Sequence, residues 1–337
     1  MRLKPVVFLL VISMLLSACK LYITDCARPQ VFCVGVVTDF GKVDDHGLNQ
    51  SAWEGVQQAL AEELIDRADF IETVDARDRA KNIRTFLNND YDLIVTVGYS
   101  MEEETRLAAQ EWTDRLFIGV DQPVTDPPTN LAILTFPEDQ GGFLAGALAA
   151  LISKTGKVAA LCEVESLSSM WRYCEGFRVG VRYIEPAMRA DVLYKSESAT
   201  SELFKDPSWG QEQALSMLKD GVDVLFAAGG DTALGALEAA ASEGVPVIGA
   251  DEDLYYKMEN AEQVLSSAGR NAGAGVYALI RLAVQGQFPA GETRGEYVLY
   301  PYHELERLVP TTVRERLEQI RLGLANGSIQ TGVPTEP

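Results

Sequence analysis

Histidine is nearly absent from this sequence: there are two in 337 residues, His46 and His303. Neither has a partner at the spacing metal sites use, so no metal centre is expected. No Gly-x-Ser-x-Gly elbow occurs, and the glycines build neither a Walker loop nor a dinucleotide fingerprint. Asp39-Phe40-Gly41 copies the kinase triplet, but the other kinase signatures are missing. With no nucleophile–base pair and no cofactor loop, the chain reads as a non-enzyme that needs no cofactor. Acidic pairs such as Asp44-Asp45 read as turn or cap residues. Positive charge is also scarce, with 29 basic against 49 acidic residues and a net charge of −20. A field of that sign repels nucleic acid, so no polynucleotide partner is expected. Beyond the first twenty residues no run approaches the roughly 20 apolar residues that cross a bilayer.

The amino terminus carries more information. Arg2 and Lys4 precede an apolar run from Val6 to Leu16 that ends in Leu16-Ser17-Ala18-Cys19. A basic front, a short apolar segment and small residues behind it read as a secretory signal. The last four residues resemble a bacterial lipobox, which implies cleavage before Cys19 and its lipidation. Acyl chains add about 0.8 kcal/mol per buried methylene, so two or more hold a protein on a membrane. Setting Cys19 aside leaves Cys26, Cys33, Cys162 and Cys174. An exported chain keeps disulfides, and four cysteines allow three connectivities. The local options, Cys26 with Cys33 and Cys162 with Cys174, are expected; four buried thiols are the alternative.

After the anchor, strand and helix signals alternate. Val31 to Thr38 is a continuous apolar run, as in a parallel strand buried on both faces. A helix is expected near Ser51 to Leu64, with Ser51 and Glu54 as a possible capping box. Strands at Phe70–Val74, Leu93–Val97, Leu116–Gly119 and Leu131–Phe136 follow, with helices between them. The pattern then restarts, with helices from Gly142, Trp171, Trp209 and Ala233 and strands at Val158, Val192, Val224 and Val245. This order predicts an α/β chain of two doubly wound parallel-sheet lobes. The expected division is a signal peptide at 1–18 and a tether at 19–30. One lobe takes 31–135 plus about 265–290, the other 136–264 plus about 291–330, and 331–337 form a tail. Ligands of such sheets sit beyond the carboxyl ends of the strands.

Val37 to Gly55 reads VTDFGKVDDHGLNQSAWEG. Further on come YDLIVTVG (Tyr91–Gly98), TFPEDQGGFLAG (Thr135–Gly146), EGFRVGV (Glu175–Val181), FKDPSWG (Phe204–Gly210), LFAAGGDTALG (Leu225–Gly235) and VIGADED (Val247–Asp253). Together these resemble the basic membrane protein family, the purine-nucleoside-binding lipoproteins of the PnrA type. The resemblance implies a type I periplasmic-binding-protein fold, with a ligand cleft at a hinge and delivery to an ABC permease. It places Asp39 as an acceptor for the base, where an ionised carboxylate makes the stronger bond. Asn49 suits a purine edge or a helix N-cap. Asp121 is a further first-lobe candidate. Gly229, Gly230 and Asp251 match ribose-side positions, the glycines through close backbone approach. Asp251 could grip two vicinal hydroxyls with its two oxygens.

Two positions depart from the family pattern. Leu48 stands where an aromatic residue is usual, and Arg270 where a lysine is usual. Leucine packs on a base face but lacks the aromatic quadrupole, and arginine is a planar fork where lysine is a point charge. Tyr173 and Phe204 are the candidates for the opposite wall, or else lie in the lobe core, and Tyr99 is the candidate to substitute for the missing ring from the neighbouring loop. The expectation is a monomeric, lipid-anchored substrate-binding protein on the extracytoplasmic face, closing over a purine nucleoside. The alternatives are a sensory receptor of a membrane signalling system, or a protein of this fold for a sugar or another solute.

Overall fold

The computed structural model describes residues 25–39, 41–196 and 203–337. The expected signal peptide and the lipidation site at Cys19 lie outside the described residues.

β1 (Cys33–Thr38) is buried at every position, as its unbroken apolar run requires. It lies inside a six-stranded sheet with β2 (Arg67–Ile71), β3 (Leu93–Val97), β4 (Leu116–Val120), β5 (Leu131–Thr135) and β11 (Gly291–Arg294), in the order β2-β1-β3-β4-β5-β11. A second six-stranded sheet has the equivalent order, β7-β6-β8-β9-β10-β12. Its strands are β6 (Lys157–Cys162), β7 (Arg189–Tyr194), β8 (Leu225–Ala228), β9 (Val247–Asp251), β10 (Val264–Arg270) and β12 (Tyr297–Leu299). Every pairing is parallel except that of β12 with β10. The two lobes are therefore the same architecture built twice, with helices as the crossovers.

The chain passes between lobes three times: after β5, after β10 and between β11 and β12. This shifts the expected boundaries. The stretch from 264 to 270 belongs to the second sheet, paired with β9, and 291–294 belongs to the first. The physical reason is β11 itself. Gly-Glu-Thr-Arg is a polar edge strand with alternating exposure, so it carries no apolar signal. β2 is likewise an edge strand. It sits three residues earlier than expected, with Arg67 beside Cys33, and Val74 is left outside the sheet in solvent.

Helix starts also differ. α1 (Leu48–Ala61) begins before Ser51, and the expected Ser51–Glu54 capping box does not form. Asp45 does that work: its carboxylate accepts from the main-chain N–H groups of Gly47, Asn49 and Gln50. The Ser51 hydroxyl instead accepts from Gly273 N–H at the start of α8 (Ala272–Val284). The other helices are α2 (Arg79–Leu87), α3 (Glu102–Glu111), α4 (Glu138–Ile152), α5 (Ser168–Ile184), α6 (Pro207–Lys219), α7 (Gly230–Ser242) and α9 (Thr311–Ala325).

Glycine sets how closely the helices of the second lobe pack. Gly142 and Gly146 of α4 face Gly176 and Gly180 of α5. A Cβ built on any of the four would lie 2.0–2.2 Å from a main-chain carbonyl oxygen of the partner helix. The two backbones touch, which fixes α5 and with it Tyr173.

Cys26 is bonded to Cys33, and Cys162 to Cys174. The second bond ties the end of β6 to α5 across a separation of 12 residues. Closing a loop of that length restricts the unfolded chain by about 3 kcal/mol. Reduction with dithiothreitol is therefore expected to lower the urea midpoint clearly. An unchanged midpoint would show that the bonds carry no stability.

Candidate functional site

Three of the predicted residues, Asp121, Asp251 and Arg270, stand at or just beyond the carboxyl ends of strands and meet between the two lobes. Asp121 follows β4 and Asp251 closes β9. Both adopt the left-handed backbone region, with φ of 59° and 73°. Aspartate tolerates that region better than most residues, and such conformations concentrate at functional sites. Arg270, the last residue of β10, lies between them. Its Nη2 is 3.1 Å from Asp251 Oδ1 and 3.7 Å from Asp121 Oδ2, so one guanidinium links a carboxylate of each lobe. Burial works against this charge; Asp251 first, with Asp121 contributing, outweighs it and keeps the guanidinium protonated.

Asp251 is held on one side only. The Tyr173 hydroxyl donates to the same Oδ1 at 2.5 Å and shares a 2.7 Å hydrogen bond with Tyr297. Burial, and then the Asp251 charge, push the Tyr173 phenol well above its usual range, so it stays a donor. With Oδ1 taken by Tyr173 and Arg270, the expected two-oxygen grip on vicinal hydroxyls is not available. Oδ2 is the open oxygen, on a side chain 44% exposed. The Tyr173 ring is buried in the core, so it is not a wall of the cleft; only its hydroxyl serves the site.

Asp39 is similarly half engaged. The Arg79 guanidinium, at the start of α2, places Nε 2.7 Å and Nη2 2.6 Å from Asp39 Oδ1. Both side chains are 13% exposed. Arg79 was not foreseen, because nothing local links residues 40 apart in sequence. Gly98, at φ +111°, leaves room for Asp39: a Cβ there would fall 2.8 Å from the aspartate Cβ. Asn49 is buried inside α1, and its amide donates to the Lys42 carbonyl. It closes the loop before α1 and is not the N-cap. Leu48 is half-buried and packs on the hydrophobic core.

The remaining candidates lie around the rim. Tyr99 is 69% exposed and lines a cavity of about 290 Å³ with Asp121, Glu138 and Arg172. Burial pushes the Glu138 carboxyl upward, with Arg172 opposing it. Gly229 and Gly230 line a smaller cavity of about 110 Å³ beside Asp251. Both have positive φ, and side chains there would strike Glu163 and Phe204. Their freedom is used in packing the second-lobe loops. Phe204 lies over this turn, its N–H donating to Glu163 and its carbonyl accepting from Asp231 N–H. A larger cavity of about 470 Å³ lies between α5, β7 and α6 and contains none of these residues. Among the described residues no group of acidic, histidine or cysteine side chains is placed to hold a metal.

The family model described as ABC transporter substrate-binding protein PnrA-like matches residues 32–295. The chain belongs to this family. The CD4+ T-cell-stimulating antigen of Listeria monocytogenes is 30% identical, over 91% of this chain and 89% of that one. The ABC transporter nucleoside-binding protein BmpA of Lactococcus lactis is 27% identical, over 76% of each. A solved ABC transporter solute-binding protein from Conexibacter woesei superposes with a TM-score of 0.72 at 22% identity, covering 89% of this chain and 98% of that one. That likeness establishes the fold, a two-lobed type I binding protein. As a PnrA-like protein the chain is the substrate-binding component of an ABC transporter. That role calls for a small-molecule ligand and a permease, and it is not an enzymatic one.

Proposed function

We propose that this PnrA-like protein captures a purine nucleoside by closing its lobes and hands it to an ABC permease. It would do so as a monomer held by lipid on the extracytoplasmic face. The observation that carries the reading is the Asp121–Arg270–Asp251 chain, which meets both lobes where β10 leads into a crossing. A ligand that engages Asp251 from one side and Asp39 from the other gains both contacts only when the lobes approach. Binding then shifts the population toward the closed form. The open oxygen of Asp251 suits a ribose hydroxyl, and the oxygen of Asp39 not held by Arg79 suits an N–H of the base. Tyr99, exposed at the first-lobe rim, is the ring best placed to stack where the family's aromatic residue is replaced by Leu48. The name of the Lactococcus lactis relative supports the ligand class.

The test is the ligand that leaves with the protein. Mass spectrometry of the small molecules released when freshly purified protein is denatured should find a purine nucleoside. A sugar or an amine in its place would contradict the assignment.

A further inference from the structure

Both histidines of the chain meet one loop at the contact between the lobes. From the first lobe, the His46 ring stacks on Tyr256 of the second, with centroids 4.0 Å apart and planes 15° apart. The His46 carbonyl accepts from Asp253 N–H at 2.9 Å. Beside it, a Cβ on Gly47 would lie 3.2 Å from Glu252 Cβ, so the two loops are in contact. His46 holds a left-handed φ of 53°, which turns the loop toward the second lobe. His303 grips the same loop from behind. Its Nε2 is 2.8 Å from Asp253 Oδ2, and its ring stacks on Tyr255 at 3.9 Å.

We propose that the His46–Tyr256 stack is a latch that helps hold the lobes closed, and that the latch tightens on acidification. The charges around it decide the sign. On the first-lobe side are Asp45, next in sequence but one to Gly47, and Glu54, across a cavity of about 350 Å³ that His46 lines with Tyr256 and Tyr300. On the second-lobe side are Glu252 and Asp253. Of the cations in this region, Lys257 pairs with Glu252 at 2.5 Å and Arg270 with Asp121 and Asp251, while Lys42 lies four residues earlier in the same loop as His46. A proton on His46 therefore enters an acidic surrounding. It also turns a stack of neutral rings into a cation over the Tyr256 face. His303 faces Asp253, Tyr255, Tyr256 and, through Tyr255, Glu304. A proton there strengthens its hold on the loop that His46 docks against. Both histidines act in the same direction, and carboxylates stay ionised over the imidazole range.

Small-angle scattering on the ligand-free protein tests this without reference to any nucleoside, so the outcome is independent of the ligand class. Between pH ~8 and pH ~6, across the imidazole range, the radius of gyration of the native protein should fall. The closed-to-open ratio should rise roughly two- to fivefold, the scale of an exposed cation–π contact. Tyr256→Ala should give a larger radius at both pH values. His46→Phe should keep the stack and reduce the pH response to the part that His303 carries. Both side chains are exposed, so the fold should survive either change. A native radius that does not change with pH, or a Tyr256→Ala radius equal to the native one, would overturn the latch.

Discussion

Gly142→Ala is expected to destabilise the fold by about 3 kcal/mol, although alanine is the better helix former by roughly 1 kcal/mol. The added Cβ would stand 2.0 Å from the Tyr173 carbonyl oxygen and 2.9 Å from Phe177 N. Both are backbone atoms, so no side chain can swing aside. α4 and α5 would have to separate, and the contacts at Gly146, Gly176 and Gly180 would open with them. Separation also moves Tyr173, whose hydroxyl orients Asp251. The variant should therefore lose ligand affinity as well as stability, with no change in any residue that faces the cleft. Urea unfolding gives the first effect and calorimetry the second. A native midpoint would mean that the helices are not held at backbone contact.

Asp251→Ala is expected to weaken nucleoside binding by about 1.5–3 kcal/mol, the scale of a hydrogen bond to a charged group. That is roughly a ten- to hundredfold rise in Kd. The fold should suffer less, because the groups left behind keep other partners. Tyr173 retains Tyr297, and Arg270 retains Asp121. Loss of affinity well beyond loss of stability is the signature of a ligand contact. Equal losses in the two would mark Asp251 as a structural residue. Unchanged affinity by calorimetry would remove it from the site.

What could be read from the sequence follows from how far each signal reaches along the chain. β1 and β3 are buried on both faces, so their apolar runs stand out, and the alternation of strand and helix predicts the two lobes. β11 has no such run, because an edge strand with a solvent face needs none. The hinge crossings were displaced for that reason alone. Among the candidate site residues, the positions of Asp39, Asp121 and Asp251 at strand ends were legible, and Arg270 came from the family resemblance alone. Their pairings were not legible. Arg79 reaches Asp39 from another crossover, and Tyr173 reaches Asp251 from 78 residues away. Those contacts decide which oxygen of each carboxylate is open, and only the packed structure supplies them. Tyr173 illustrates the limit: an aromatic residue at a helix start suits a binding wall or a core equally, and burial against α4 decides for the core.

Thermal unfolding with and without purine nucleosides tests the central claim most directly. A ligand at 100 times its dissociation constant adds about 2.7 kcal/mol to stability. Inosine, guanosine or adenosine should therefore raise the Tm by several degrees, and ribose alone should not. No shift with any nucleoside, together with a shift on adding a sugar or an amine, would contradict the account.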